Sequence, residues 1–319
     1  MAYRLMNNNK TLVLFGSTGL IGSGISKILR GAGYANIFSP SSQEVNLTNY
    51  EVVNSYFEKK KPDYVILAAG VVGGILENQN NPADFIEKNV FIHANVLRCA
   101  KEYDVKKTIL FGSSCMYPRN CPQPMVEDAL LTGKPEVTSL PYAISKLMAL
   151  NIASAYNHQA GENRFLTLIP NSVYGPNDNF SAQSGHVLSA LIGKFHDAVN
   201  NDLKELNLWG TGSPKREFVY VDDVARACLL LLNSDVSEIE FPLNLGVGHD
   251  LSIAELAEKI AYCVGYRGKI NWDKSKPDGA MQKLLDSSRI KLLGWKPKVD
   301  LNEGLDLTYS WFKKSLESY

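Results

Sequence analysis

The chain has 319 residues, 45% of them hydrophobic and 21% charged, with 33 basic residues against 33 acidic. That length holds one large α/β core and a smaller lobe, and a formal net charge of zero gives no sign of a nucleic-acid partner. The five cysteines, Cys99, Cys115, Cys121, Cys228 and Cys263, form no CxxC pair; they suggest no disulfide framework and fit a reducing cytoplasm. Residues 1–10 are polar and carry Asn7-Asn8-Asn9, without the apolar centre of a signal peptide, and no apolar run approaches membrane-spanning length.

In chain order, the apolar run 11–15 predicts a first strand, and Gly16-Ser17-Thr18-Gly19-Leu20-Ile21-Gly22 follows it into a helix over 20–31. A strand, a glycine turn and a helix start make a seat for a pyrophosphate: glycines admit the phosphate to the backbone, and the helix N-terminus offers N–H donors. The spacing is Gly-x-x-Gly-x-x-Gly, which by itself also suits a plain tight turn. Further strands are predicted at 36–39, 64–67, 108–111 and 164–169, with helices near 52–59 and over 83–103 and 142–158. Short apolar runs without alternation suit parallel strands buried on both faces, hence a doubly wound α/β sheet.

The helix over 142–158 is apolar on two sides, with Ile144, Met148 and Ile152 on one stripe and Ala143, Leu147 and Leu150 on another. One side can cover the sheet and the other needs a partner. Beyond Pro170, helices are predicted over 181–200, 222–233 and 252–264, with a short strand at 206–209. Residues 1–170 therefore read as a dinucleotide-binding unit of Rossmann type. Residues 171–319 read as mainly a smaller C-terminal α/β lobe for substrate, with chain crossings between the two.

Tyr142 and Lys146 stand four residues apart, on one face of a helix. Ser113-Ser114-Cys115-Met116-Tyr117-Pro118 follows the strand at 108–111. A strand-end serine with Tyr-x-x-x-Lys on the next long helix resembles the extended short-chain dehydrogenase/reductase superfamily. Longer motifs narrow the likeness: Ala68-Ala69-Gly70-Val71-Val72-Gly73-Gly74-Ile75, Pro82-Ala83-Asp84-Phe85-Ile86 and Tyr174-Gly175-Pro176-Asn177-Asp178-Asn179-Phe180. With Trp209-Gly210-Thr211-Gly212-Ser213-Pro214-Lys215-Arg216-Glu217-Phe218, Lys276-Pro277-Asp278-Gly279 and Lys283-Leu284-Leu285-Asp286, the chain resembles the GDP-L-fucose synthase family. That family epimerises C3 and C5 of a GDP-4-keto-6-deoxymannose and reduces C4.

The resemblance implies the roles. Tyr142 would give a proton to the C4 oxygen, with Lys146 nearby lowering the pKa of the phenol, and Ser113 would orient that oxygen. Cys115 and His186 would act as base and acid in epimerisation, because the 4-keto group acidifies the neighbouring C–H bonds and a thiolate and an imidazole can exchange those protons. NADPH, with NADH possible, would lie on Gly16, Ser17, Thr18, Gly19, Leu20, Ile21 and Gly22. It would also meet Ser42, Ala68, Ala69, Gly70, Tyr142, Lys146, Pro170, Asn171, Ser172 and Val173. Ser114, His186, Lys194, Trp209, Arg216, Asp278 and Lys283 would hold the GDP-sugar, a homodimer would cover the helix over 142–158, and no metal is implied.

Each role has a blander rival. A chance Tyr-x-x-x-Lys pair packs and is solvated, a lone cysteine is a small buried hydrophobe, His186 caps a helix or lies on the surface, and Arg216 is solvated. His93, His158, His196 and His249 gain no support from the motifs. The chain also departs from the family: Thr18 and Ser42 stand where arginines would grip a 2′-phosphate, and no acid closes the second strand to favour NAD. Lys194 replaces an arginine, losing its fork, and Pro170-Asn171-Ser172-Val173 alters the nicotinamide-side loop. These changes leave open a C4 reductase alone, acting on a related sugar such as a GDP-4-keto heptose. A 4-epimerase of the same superfamily is a further alternative, and a dehydratase is disfavoured by Ser114-Cys115-Met116 in place of an acid pair. A non-catalytic dinucleotide-binding protein is disfavoured by the retained Tyr142 and Lys146.

Overall fold

A computed structural model describes residues 10–276 and 278–317, with backbone alone at 75–76. Asn7-Asn8-Asn9 and Pro277 therefore lie outside the described residues. The first half runs β1 (Leu12–Phe15), α1 (Leu20–Gly31), β2 (Ile37–Phe38), α2 (Tyr50–Lys60), β3 (Tyr64–Leu67), α3 (Ile75–Asn80), α4 (Pro82–Glu102), β4 (Lys107–Phe111), α5 (Leu140–Ala160) and β5 (Phe165–Pro170). There follow β6 (Ser172–Tyr174), α6 (Val187–Asn200), β7 (Glu205–Trp209), β8 (Lys215–Arg216), β9 (Phe218–Tyr220), α7 (Val221–Asn233) and β10 (Leu243–Leu245). The chain ends with β11 (Leu251–Ser252), α8 (Ile253–Val264), β12 (Lys269–Asp273), β13 (Gln282–Lys283), α9 (Ser288–Leu292) and α10 (Leu301–Glu317).

The main sheet has the order β10-β5-β4-β3-β1-β2, and every pair in it is parallel. Because side chains alternate along a strand, Leu12 and Leu14 face a core shared with Ile25 and Leu29 of α1 and with α7. Val13 and Phe15 face the opposite core, with Val53 and Phe57 of α2, Val96 and Leu97 of α4 and Ala149 of α5. Both faces are covered, as the uninterrupted apolar strands require. The strand order turns at β1, between β2 and β3, and the glycine turn leaves the sheet at that switch point.

Two elements from beyond Pro170 return to this sheet: β10 forms its edge and α7 covers one face beside α1. A third core lies between α6, α8 and α10, with Ile192, Phe195, Leu256, Ile260 and Leu305 around Leu208, Phe218 and Tyr220. Several predicted boundaries shift for local reasons. The helix predicted from residue 181 opens at Val187 instead, because Ser181 Oγ takes the N–H groups of Gln183 and Ser184 at 3.3 Å and Gly185 N–H bonds Ser181 O. Asn49 caps α2 by accepting Val52 N–H at 3.3 Å, so that helix begins at Tyr50. Proline in the first turn starts α4 and α5 earlier than their apolar patterns. The second predicted strand shrinks to Ile37–Phe38. On α5, Ala143, Leu147 and Leu150 are buried; the other stripe is divided, since Ile152 packs on the sheet core while Ile144 stays 40% exposed.

Candidate active site

Gly16 has φ +82°, open to glycine at little cost, and a Cβ there would strike the Ala69 backbone; one on Gly22 would overlap the Gly16 carbonyl. Gly19 is the N-cap of α1 and no side chain caps that terminus, so its first-turn N–H groups face the turn with the positive end of the helix dipole. A cradle with no side chain at its closest approach, closed by Ala68 and Ala69 after β3, fits a dinucleotide pyrophosphate. Gly22→Ala should weaken NADPH binding by at least about tenfold, because helix and turn must separate to admit the methyl. Calorimetric titration checks this; parent-like affinity together with a parent-like Tm would contradict the close-approach account.

The loop after β2 carries Ser42 exposed and holds no arginine. Sequence reading found no acid at the strand end, yet folding brings one back: Ser41 N–H donates to Glu44 Oε2 at 2.7 Å and Glu44 N–H donates to Ser41 Oγ at 3.2 Å. Those bonds hold the Glu44 carboxyl below its ordinary range. A 2′-phosphate meeting this loop gains no guanidinium fork and faces a carboxylate. The kcat/KM ratio of NADPH to NADH is therefore expected to stay below about a thousandfold, near four kcal/mol, when both are assayed at one ionic strength. A larger ratio would mean that another cation takes the phosphate.

The second cluster lies where α5 meets the end of β4. Tyr142 packs edge-on against Phe85 of α4, centroids 6.3 Å apart at 81°. Burial raises the phenol well above its ordinary value, the Cys115 charge adds to this, and the Ser113 hydroxyl beside it opposes. The sequence led to the expectation that Lys146 would lower this pKa; burial prevails instead and keeps the proton on Tyr142. Lys146 Nζ stands 5.7 Å from the Tyr142 ring centroid, and burial pulls the ammonium down to about 8.

Ser113 caps the 3-10 turn over Ser114–Met116, its hydroxyl accepting Cys115 N–H at 3.2 Å. Ser114 is buried and lines a small cavity with Tyr117, Gln123, Gln282 and Lys283. Cys115 is met at 3.5 Å by Lys283 Nζ. Burial raises this thiol, but the Lys283 charge and the hydroxyls of Ser113 and Ser139 outweigh it and hold Cys115 below the ordinary thiol value. Parallel pairing of β8 with β13 sets Arg216 opposite Lys283, giving two cations side by side next to the thiol.

Arg216 also lies close enough to Cys115, Asp250 and Asp278 to feel their charges. Asp278 accepts Thr211 N–H at 3.0 Å and the Thr211 hydroxyl at 2.7 Å, tying down the turn after Trp209. Trp209 is 55% exposed, with Lys194 and Lys276 ammonium groups 5.5 and 5.6 Å from its ring. Tyr142, Lys146, Ser113, Cys115, Lys283, Arg216 and Asp278 thus form one continuous site. His186 stands apart, an exposed residue at the N-cap of α6 that shares no hydrogen bond with the cluster among the described residues. It lies near Asp178, a half-buried carboxyl that burial raises and that the Ser189 hydroxyl and the imidazole draw back toward the charged form. Among the described residues no group of three or more His, Cys, Asp or Glu could hold a metal.

Sequence reading missed two residues here. Glu217 is fully buried and accepts Gly248 N–H at 2.6 Å, Asn171 Nδ2–H at 2.8 Å and Leu285 N–H at 3.1 Å. Asn171 Nδ2 also donates to the Lys283 carbonyl at 3.0 Å, so the pair pins β13 against the end of β5. Strand alternation was the available signal: if Arg216 faces the site, Glu217 faces inward. His93 is the other. It is fully buried on α4 with Nε2 3.2 Å from Lys146 Nζ.

A parallel sheet with a bare glycine cradle at its switch point, and a half-buried tyrosine with a buried lysine one helical turn on beside it, define a dinucleotide-dependent short-chain reductase. The chain belongs to the NAD dependent epimerase/dehydratase family, whose pattern matches residues 12–246, and within it to the GDP-L-fucose synthase family. It is 45% identical to "GDP-L-fucose synthase 1" of Arabidopsis thaliana over 312 residues, 98% of this chain and 96% of the plant protein. Its fold matches a GDP-6-OMe-4-keto-L-xylo-heptose reductase from C. jejuni with a TM-score of 0.90 at 31% identity, covering 97% of this chain and 99% of that one. A GDP-L-fucose synthetase from Naegleria fowleri bound to NADP matches with a TM-score of 0.87 at 28% identity, over 97% and 96% of the two chains. The protein is an NAD(P)-dependent enzyme.

Proposed function

We propose that the protein is a GDP-4-keto-sugar 3,5-epimerase/4-reductase that uses NADPH, with GDP-4-keto-6-deoxymannose as the sugar and GDP-L-fucose as the product. The observation that carries the reading is the thiol: Cys115, lowered by Lys283, lies in the same pocket as a protonated Tyr142. When bound on the Gly16–Gly22 cradle, the cofactor supplies the hydride that reduces C4. Everything else falls to the chain. The Cys115 thiolate removes the proton from C3 or C5, the electron pair moves onto the C4 oxygen, and Ser113 and Tyr142 stabilise that enolate as hydrogen-bond donors.

His186 returns a proton to the opposite face. The thiol belongs to the sheet unit and the imidazole to the α6 end of the second lobe, an arrangement suited to a ring held between them. After both centres invert, Tyr142 gives its proton to the C4 oxygen, and Lys146 keeps positive charge beside it. Arg216 and Lys283 hold the diphosphate, the former through its bidentate donors, while Trp209 with Lys194 and Lys276 offers a face to the base. Phe91 on α4, Ile144 on α5 and Val137 in the 3-10 turn just before α5, exposed at 45%, 40% and 59%, offer apolar surface suited to a homodimer. A cytoplasmic site of action accords with free thiols at all five cysteines, and no described helix is long and apolar enough to cross a membrane.

A second reading, reduction of C4 alone on a GDP-4-keto heptose, is favoured by the likeness to the C. jejuni reductase. The two are separated by following NADPH oxidation with GDP-4-keto-6-deoxymannose, a GDP-4-keto heptose and a UDP-4-keto sugar as substrates. The proposal expects fastest turnover with the first. Turnover confined to the heptose would favour the second reading, and indifference between GDP and UDP would count against both.

A further inference from the structure

One inner stripe of α4, at i, i+4 and i+8, touches three separate parts of the site. Phe85 packs on Tyr142. Asn89, fully buried, accepts Val71 N–H at 2.9 Å and donates to Val71 O at 2.9 Å and Phe85 O at 2.7 Å, which fixes the cofactor-side loop after β3. His93 meets Lys146. Its Nδ1 lies 2.6 Å from the Asn89 carbonyl, which can only accept, so Nδ1 carries the hydrogen and Nε2 presents a lone pair to the ammonium.

We propose that His93 is a positioning residue for hydride transfer: its Nε2 takes one N–H of Lys146 and thereby holds the lysine charged and in one rotamer beside Tyr142. The inference rests on the Tyr142–Lys146 reading of the reaction above. Two buried groups that both want protons cannot both be cations at this distance. Burial and the Lys146 charge drive the imidazole down to about 3, so the charge stays on the lysine. A buried ammonium with no acceptor would give up its proton or swing away; the sequence supplies an acceptor that cannot itself ionise at working pH. Burial is what moves Lys146. Tyr142 shares its helix, Ser113 and Cys115 act on the phenol, the α4 charges Asp84, Glu87 and Lys88 around Phe85 and Asn89 are exposed, and β5 (Phe-Leu-Thr-Leu-Ile-Pro) carries no titratable side chain.

The test uses two substitutions in the full-length protein and one measurement on the parent. In the parent, kcat/KM should fall on the alkaline side as Lys146 deprotonates near 8. His93→Leu keeps the volume and removes the acceptor: the alkaline limb should move at least about half a unit toward lower pH, and KM for NADPH should rise about tenfold. His93→Gln sets an amide oxygen near the Nε2 position and should bring the limb back. Activity that falls in step with Tm while the limb stays in place would overturn the proposal and leave His93 a packing residue. If His93→Leu does not fold, the Gln variant and 15N NMR of the parent decide. The spectrum should hold the Nδ1–H tautomer with Nε2 unprotonated across neutral pH, and an Nε2–H tautomer overturns it. The tautomer is read without substrate, so a parent inactive on every 4-keto sugar would sink the proposed reaction and leave the His93–Lys146 contact to be judged by the spectrum.

Discussion

Tyr142→Phe is expected to bind NADPH within about twofold of the parent and to lose at least about a hundredfold in turnover, some three kcal/mol of barrier. The ring survives the change, so the edge contact with Phe85 and the packing of α5 remain. Only the hydroxyl goes, and with it the proton for the C4 oxygen. Burial holds that proton on the parent phenol through the neutral range, which suits a donor and ill suits a base. Stopped-flow NADPH oxidation with the 4-keto sugar measures the loss, and turnover within about tenfold of the parent would remove Tyr142 from the donor role.

The largest separable effect is expected at Cys115. In deuterated water a working epimerase exchanges hydrogen at C3 and C5 through the enolate, even without reduced cofactor. Cys115→Ser leaves a hydroxyl too weakly acidic to act as base at neutral pH, so exchange should fall by about a thousandfold or more. Reduction of a sugar already epimerised should persist, since its proton comes from Tyr142. The Lys283 contact adds a pH signature. The thiolate is the working form, and Lys283 holds the thiol below its ordinary value. Lys283→Met removes that cation, the thiol pKa rises, and the acid-side limb of the exchange profile moves toward higher pH. A limb that stays in place in Lys283→Met would mean that the 3.5 Å contact does not set the charge on Cys115.

Where chemistry rests on local spacing, the sequence was legible. Tyr142 and Lys146 share a helix face because four residues make about one turn, and the glycine turn lies at a strand-to-helix junction because only glycine tolerates its φ and its close approach. The doubly wound sheet followed from uninterrupted apolar strands. Contacts made by tertiary pairing were not legible. Arg216 and Lys283 sit opposite each other only because two two-residue strands pair in parallel across 67 positions, and runs that short carry no periodicity. His93 reaches Lys146 through the packing of α4 on α5, and a single histidine on an apolar stripe reads the same whether or not a lysine waits behind it. Chain crossings between the lobes were expected, but which elements make them, β10 and α7, was hidden for a similar reason. Leu243–Leu245 is three residues long, too short to announce a parallel edge. At the start of α6, Ser181 Oγ and Asn179 Oδ1, the latter accepting Ser181 N–H at 3.0 Å, competed for backbone groups and shortened a helix that the apolar pattern had extended.

The claim that one pocket both epimerises and reduces is tested most directly by the product formed in deuterated water. Purified protein with GDP-4-keto-6-deoxymannose and NADPH should yield GDP-L-fucose, with deuterium at C3 and C5 and the cofactor's hydrogen at C4, read by proton and carbon NMR. A C4-reduced sugar of unchanged C3 and C5 configuration, free of deuterium at both carbons, would contradict it.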